Sequence, residues 1–146
     1  MRWLLFVVIF IGGEHEPRSM PAREQPSGEV PGVQWHEVRN VRVTFYCARG
    51  NGCTNPICGR NRLTACGRDA SKGGIAVDKR RIPFGALILL PDGRVLEADD
   101  TFGKRQRESD YQKGIFHLDI RVTNKTHADV RRMGVRHITI YWRMPR

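Results

Sequence analysis

The sequence lacks an apolar run long enough to form a transmembrane helix, and acidic residues are scarce. Its longest apolar run covers residues 3–11, which is about half of the roughly 20 residues that a membrane-spanning helix requires. Lys and Arg number 25 against 15 Asp and Glu, so the formal net charge is +10. This charge suits a polyanionic partner: nucleic acid, anionic lipid or an acidic cell-wall polymer.

The N-terminus has a charged start but no clear small-x-small cleavage site. Arg2 precedes the apolar run, and Gly12 and Gly13 follow it, a pattern typical of secretory signals. We therefore predict a signal peptide or an uncleaved, membrane-associated anchor over residues 1–13. Residues 14–32 are rich in Pro, Glu, Ser and Gly and predict a flexible linker, and residues 33–146 predict the folded domain. Export argues against nucleic acid as the partner.

The four cysteines lack the paired C-x-x-C spacing that makes a zinc site recognisable. They are Cys47, Cys53, Cys58 and Cys66. In an exported chain, an even number of cysteines in a loop-like segment predicts two disulfides, although the spacing does not choose among the three pairings. A structural zinc site is the alternative hypothesis. We expect no metal and no cofactor.

Sequence patterns that predict long helices are also scarce, because the 15 Gly and 8 Pro favour short strands and turns. Val41 and Val43 alternate with Arg42 and Thr44, which is typical of a half-buried strand. A single short helix is predicted over residues 125–133. The mainly-β fold that results is a small barrel, with strands predicted at residues 38–46, 75–77, 86–90, 94–98, 115–122 and 135–142.

Three aspartates, Asp78, Asp100 and Asp119, end or interrupt apolar runs. An acidic side chain on a core-forming strand costs free energy unless it is compensated, so the repetition indicates a site. Asp119 lies between two apolar residues, and apolar surroundings raise a carboxyl pKa. The alternative for Asp78 is structural, because it precedes Lys79 and Arg80 and could pair with a cation. Adjacent strand residues face opposite ways, so Asp99 is expected to point away from Asp100.

Short motifs in a fixed order resemble the 3D domain family, which is named for three aspartates. This family includes membrane-bound lytic transglycosylase A and the stationary-phase survival muralytic proteins. The resemblance implies a six-stranded double-psi β-barrel with one short helix, which cuts peptidoglycan glycan strands. The motifs lie at residues 43–47, 63–67, 75–78, 82–85, 100–101, 113–114, 118–120, 133–135 and 138–141.

The resemblance also implies residue roles. The three aspartates are catalytic, with Asp119 as the acid/base. Two departures from the family pattern are expected to affect the substrate cleft: residues 104–111 form a charged insertion, and Arg121 stands where an aromatic residue commonly follows the Asp-Ile pair. The expected substrate contacts are Thr101, Lys113, Gly114 and His117.

The expected activity is that of a lytic transglycosylase, a monomer acting on peptidoglycan in the bacterial cell envelope or periplasm, or after secretion. In such an enzyme one carboxyl protonates the leaving oxygen and then deprotonates the C6 hydroxyl of muramic acid, which closes a 1,6-anhydro ring. A hydrolase would need a second carboxylate, for which Asp100 is the candidate. The rival hypothesis is a non-catalytic wall-binding or wall-loosening module on the same barrel.

Overall fold

The computed structural model describes residues 34–47 and 63–146. The predicted signal or anchor, the linker, Cys53 and Cys58 lie outside the described residues. The described chain forms β1 (His36–Cys47), β2 (Gly74–Val77), β3 (Leu87–Leu89), β4 (Val95–Asp100), α1 (Lys104–Gln112), β5 (His117–Val122), α2 (His127–Arg132) and β6 (Arg136–Arg143).

The strands close into a barrel in the order β1-β5-β2-β4-β3-β6. The neighbours β1–β5 and β2–β4 are parallel, and the other neighbouring pairs are antiparallel. Each predicted strand is present, and the predicted mainly-β, six-stranded barrel is confirmed. Closure gives each of the six described strands two neighbours, which is how small barrels satisfy their backbone hydrogen bonds.

The core fills the barrel with aliphatic side chains. Val41 and Val43 from β1 and Leu118 and Ile120 from β5 are buried in it. Successive side chains on a strand point to opposite faces, so the polar residues between these four must lie together outside the core. The barrel thereby fixes a polar face along β1 and β5.

Helix α2 agrees with its prediction. Thr126 is the N-cap, and its hydroxyl accepts a hydrogen bond from the backbone N–H of Asp129 at 3.2 Å. The Asp129 carboxylate accepts from the backbone N–H of Thr126 in return, also at 3.2 Å. This reciprocal capping box satisfies two N–H groups that a short helix would otherwise leave unpaired.

The prediction of a single helix is wrong, because the charged insertion forms α1. Three properties hide this helix: it begins at Gly103 without a side-chain cap, its first turn has no acidic residue, and its only buried residue is Asp110. An amphipathic pattern is therefore missing. Gly114 ends the segment with φ of 68°, a left-handed conformation that favours glycine. No helix in the described ranges is long and apolar enough to cross a membrane.

Polar contacts hold α1 against the barrel. Glu108 Oε2 accepts from Arg80 Nη1 at 3.2 Å, and the Arg80 guanidinium lies 4.0 Å from the centre of the Tyr111 ring. At the start of the helix, Arg107 Nη1 donates to Thr101 Oγ1 at 2.6 Å. These contacts fix the rotation of α1, and that rotation turns Asp110 towards β1 and β5.

Candidate active site on the polar face of β1 and β5

The parallel register of β1 and β5 aligns two rows of polar side chains. Thr44 lies directly opposite Asp119, and the pairs on either side are Arg42 with His117 and Tyr46 with Arg121. His117 and Arg121 are only 6% and 3% exposed. These two side chains are covered by the protein and need polar partners within it, whereas Arg42, Thr44, Tyr46 and Asp119 are only partly buried.

Asp119 lies at the centre of this face. Thr44 Oγ1 donates to its Oδ1 at 2.9 Å. Burial raises the pKa of Asp119 to about 6, and the negative charge of Asp100 adds to this effect, whereas the Thr44 hydrogen bond and the charge of Arg42 oppose it. A carboxyl with such a pKa is suited to hold and release a proton near neutral pH.

The Thr44 hydroxyl also connects Asp119 to His117 and Asp110. Thr44 Oγ1 lies 2.8 Å from His117 Nε2, and His117 Nδ1 lies 2.7 Å from Asp110 Oδ2. Burial lowers the pKa of His117, while the hydrogen bond to Asp110 opposes that effect. Three consecutive hydrogen bonds therefore link the carboxylates of Asp110 and Asp119 through an imidazole and a hydroxyl.

Asp110, like Thr44, is a site residue that the sequence patterns did not predict. It is 3% exposed, and its Oδ1 accepts from Arg42 Nη1 at 3.2 Å and from Gln106 Nε2 at 2.9 Å. Burial alone would raise the pKa of Asp110, but the hydrogen bonds from Gln106 and His117 and the charge of Arg42 lower it. Within a run of charged residues no sequence signal distinguishes this carboxyl from its solvated neighbours.

Asp100 and Asp119 lie on the two strands that flank β2, where Ala76 pairs with both of them. Asp100 Oδ2 accepts from the Tyr46 hydroxyl at 2.9 Å, and its Oδ1 accepts from the backbone N–H groups of Ala65 and Thr101 at 3.0 and 2.8 Å. Asp100 is thus a rigid hydrogen-bond acceptor whose charge acts on Asp119.

The expectation that Asp99 points away from Asp100 is wrong. The register between β2 and β4 pairs Ile75 with Ala98 and Ala76 with Asp100, so Asp99 is the extra residue of a β-bulge. A bulge re-aims side chains and breaks the alternation of faces. Both carboxylates consequently reach Arg121, which pairs with Asp99 through Nη2 and with Asp100 through Nη1.

Asp78 lies in a separate ion pair. The Arg80 guanidinium donates to both of its carboxylate oxygens, with the shortest contact 2.6 Å between Nη2 and Oδ2. The hydrogen bonds from Arg80 lower the pKa of Asp78, although burial opposes this. The Asp78 carbonyl accepts from the backbone N–H groups of Arg81 and Ile82. These contacts favour the structural role, in which Asp78 closes the turn after β2.

The four residues that are expected to contact the substrate lie in different environments. Thr101 Oγ1 donates to the Val77 carbonyl at 3.0 Å, and His117 belongs to the buried network. Lys113 is exposed at the end of α1, and Gly114 forms the turn that follows it. Substrate binding by these four residues stays a prediction.

Two of the four cysteines are described. Cys47 is buried at the end of β1, with its sulfur 3.4 Å from His127 Nδ1, and Cys66 is exposed. Cys47 and Cys66, the two described cysteines, do not form a disulfide with each other. The prediction of two disulfides involves Cys53 and Cys58 and stays a prediction. Among the residues described, no group of three or more His, Cys, Asp or Glu side chains is arranged to hold a metal ion.

A scan against protein-family models and a search of curated proteins both find no match to the chain. The resemblance to the 3D domain family therefore rests on the short motifs alone.

Proposed function

We propose that this protein is a lytic transglycosylase that cleaves peptidoglycan glycan strands with Asp119 as its acid and base. The observation that carries the proposal is the setting of Asp119, whose pKa rises to about 6 while its Oδ1 is held by Thr44. Oδ2 is the oxygen left for substrate. A transglycosylase needs one carboxyl that changes its protonation state twice in a turnover, and Asp119 has the appropriate pKa.

In the first step the Asp119 carboxyl donates its proton to the glycosidic oxygen, and the bond from that oxygen to C1 of the muramic acid breaks. In the second step the Asp119 carboxylate takes the proton of the C6 hydroxyl. The C6 oxygen then bonds to C1, which closes the 1,6-anhydro ring and returns Asp119 to its protonated form. Water is not consumed, so a positioned water nucleophile is not required.

Asp100 has a different role in this proposal. Its hydrogen bonds from Tyr46 and from the backbone of Ala65 and Thr101 hold a negative charge close to Asp119. This charge raises the pKa of Asp119. It would also stabilise the positive charge that develops at C1 in the transition state. In a hydrolytic variant of the reaction, Asp100 would instead orient a water molecule.

Charge and export support the cell wall as the target. The net charge of +10 favours anionic wall polymers, and the predicted signal or anchor would bring the chain to the cell envelope. The resemblance to the 3D domain family agrees with the same substrate class, and peptidoglycan is the proposed partner.

The second candidate is a non-catalytic wall-binding module on the same barrel. The observation that favours it is the Asp78–Arg80 ion pair, because the residue that matches the first aspartate of the family motif is engaged in holding a turn. On this hypothesis Asp119 and Asp100 would accept hydrogen bonds from sugar hydroxyls without cleaving the strand.

Digestion of purified peptidoglycan distinguishes these functions. The wild type, Asp119→Asn and the matched control Asp92→Asn, an exposed aspartate paired with Arg94, are incubated with peptidoglycan, and soluble products are identified by mass spectrometry. We expect anhydro-muropeptides from the wild type and the control only. Products with free reducing ends would indicate a hydrolase, and wall binding without products would favour the binding module.

A further inference from the structure

Asp110, His117 and Thr44 take no part in the two chemical steps above, yet they form a continuous hydrogen-bonded chain to Asp119. The successive distances are 2.7 Å from Asp110 to His117, 2.8 Å from His117 to Thr44 and 2.9 Å from Thr44 to Asp119. We propose that these three are positioning residues that form a proton relay, in which His117 and Asp119 share one proton through the Thr44 hydroxyl. The catalytic benefit of the relay rests on the proposed function, but the relay itself does not.

Asp110 determines which groups donate and which accept along this hydrogen-bonded chain. Its Oδ1 accepts from Arg42 and Gln106, and these bonds keep the group as an acceptor. Asp110 Oδ2 therefore accepts the proton on His117 Nδ1. A neutral histidine that carries its proton on Nδ1 has a lone pair on Nε2, and Nε2 faces Thr44.

Thr44 has one hydroxyl proton and two partners. When Asp119 is protonated and His117 is neutral, the Asp119 O–H donates to Thr44 Oγ1 and the Thr44 O–H donates to His117 Nε2. When Asp119 is ionised, the Thr44 O–H donates to Asp119, and a protonated His117 Nε2–H donates to Thr44 Oγ1. Every group is satisfied in both arrangements. They interconvert when the Asp119 proton moves to Thr44 Oγ1 and the Thr44 proton moves to Nε2, so the number of protons is unchanged.

The charges around the chain act on both arrangements. Asp110 from α1 favours the imidazolium form of His117, and Arg42 from β1 opposes it. At the other end, Asp100 from β4 favours protonated Asp119, and Arg42 opposes it. The Phe102 ring covers the imidazole, with ring centres 4.6 Å apart, and it limits the access of water.

A carboxyl that acts as both acid and base must be stabilised in both of its protonation states. A fixed hydrogen-bond donor would stabilise only the carboxylate and would lower its pKa. Because His117 can accept from Thr44, the Thr44 hydroxyl is not fixed as a donor to Asp119, and the carboxyl can carry its proton on Oδ2 for the acid step. Once Oδ2 has given that proton to the substrate, Thr44 donates to Oδ1 of the ionised carboxyl in the base step.

Two variants test the relay without any substrate, by nuclear magnetic resonance titration of the Asp119 carboxyl carbon. Thr44→Val removes the donor, so the pKa of Asp119 should rise. His117→Leu removes the acceptor and leaves Thr44 as a permanent donor, so the pKa of Asp119 should fall. If Thr44 and His117 had purely structural roles, the two variants would not shift the pKa of Asp119 in opposite directions. Shifts in the same direction, or no shift in either variant, would overturn the relay.

A second readout covers the case in which His117→Leu does not fold. In the wild type the ¹⁵N signals of His117 should follow the ionisation of Asp119, as is typical of coupled groups. This dependence should disappear in Thr44→Val and return in Thr44→Ser, while the matched control Thr139→Val on β6 should keep it. A response that survives in Thr44→Val would contradict the relay.

Activity on soluble glycan strands separates the two proposals. For Thr44→Val we expect kcat to fall by about tenfold or more with KM unchanged, together with a displaced pH profile and recovery in Thr44→Ser. Coupled titration in a protein that cleaves no glycan would leave the relay standing and reject the transglycosylase. Glycan cleavage without coupled titration would reject the relay alone.

Discussion

Arg121 on β5 pairs with Asp99 on β4. It does not pair with Asp119, which lies two residues before it on the same strand. Arg121 and Asp99 are almost fully buried, with side-chain exposures of 1% and 5%. An arginine beside Asp119 would hold that carboxyl ionised. Since Asp99 and Asp100 engage the guanidinium, Asp119 can keep its raised pKa. The Arg121 departure from the family pattern is thus compatible with an acid at Asp119.

The first prediction concerns this buried pair. Arg121→Gln leaves Asp99 buried without its cation, and the free energy of unfolding should fall by about 3–5 kcal/mol. The control Arg94→Gln breaks the exposed pair with Asp92 and should cost about 0–1 kcal/mol. Urea denaturation measures both. Equal losses in the two variants would show that the Arg121 pair does not stabilise the barrel.

The second prediction concerns the glycine under this pair. A Cβ on Gly74 would lie closer than 3.0 Å to side-chain atoms of Arg121 and Asp99, whereas a Cβ on Gly73 would meet only Leu96 at 4.0 Å. Gly74→Ala should therefore lower the free energy of unfolding by about 1–3 kcal/mol through overpacking, and Gly73→Ala should not. Thermal unfolding checks the difference. Equal melting temperatures would contradict the packing described here.

The third prediction follows from linkage between protonation and folding. The pKa of Asp119 rises from an ordinary 3.8 to about 6 in the folded protein, so the folded state binds the proton more tightly than the unfolded chain does. The stability contributed by Asp119 is present below about pH 4 and is lost as the pH rises to about 6. Relative to the wild type, Asp119→Asn should therefore gain about 3 kcal/mol between pH 4 and pH 7.

Denaturation of both proteins at a series of pH values measures this gain, because the titrating groups that are not coupled to Asp119 cancel in the difference. A constant difference across the range would mean that the pKa of Asp119 is the same in the folded and unfolded states.

The fourth prediction concerns the pH dependence of activity. The first step requires protonated Asp119, so glycan cleavage should decline above pH 6 and approach a tenfold loss for each further pH unit. Initial rates on soluble strands between pH 5 and pH 8 provide the test. A rate that stays constant up to pH 8 would exclude a group with the pKa of Asp119 as the acid.

The fifth prediction separates the roles of Asp78 and Asp100, two of the three aspartates in the resemblance to the 3D domain family. Asp78→Asn removes the anion that pairs with Arg80, and it should cost about 1–3 kcal/mol of stability while glycan cleavage stays within a few-fold of wild type. Asp100→Asn weakens the charge next to Asp119 and should lower cleavage by at least about a hundredfold. Comparable activity losses in both variants would show that Asp78 is also a catalytic residue.

The barrel could be predicted because its signal is local. Alternation around Val41 and Val43 is a property of a few adjacent residues, and the strands it predicts are present in the structure. Helix α1 could not be predicted in this way, since polar contacts rather than an apolar stripe hold it. Asp110 is recognisable only once α1 places it against His117.

The candidate site was predictable in part for the same reason. Asp119 stands out because apolar neighbours surround it in the sequence. The orientation of Asp99 depends on a bulge between two strands that are separated in sequence by β3, and the partner of Arg121 depends on that bulge. Tertiary register, which the sequence pattern does not encode locally, determines both.

The most direct test of Asp119 as the catalytic acid is the pKa of this residue in the wild-type protein. Selective ¹³C labelling of aspartate, with assignment by comparison with Asp119→Asn, allows nuclear magnetic resonance to follow its carboxyl carbon from pH 3 to pH 8. We expect an inflection near pH 6. An inflection near the ordinary value of about 3.9 would show that Asp119 is ionised at neutral pH and would contradict its role as the acid.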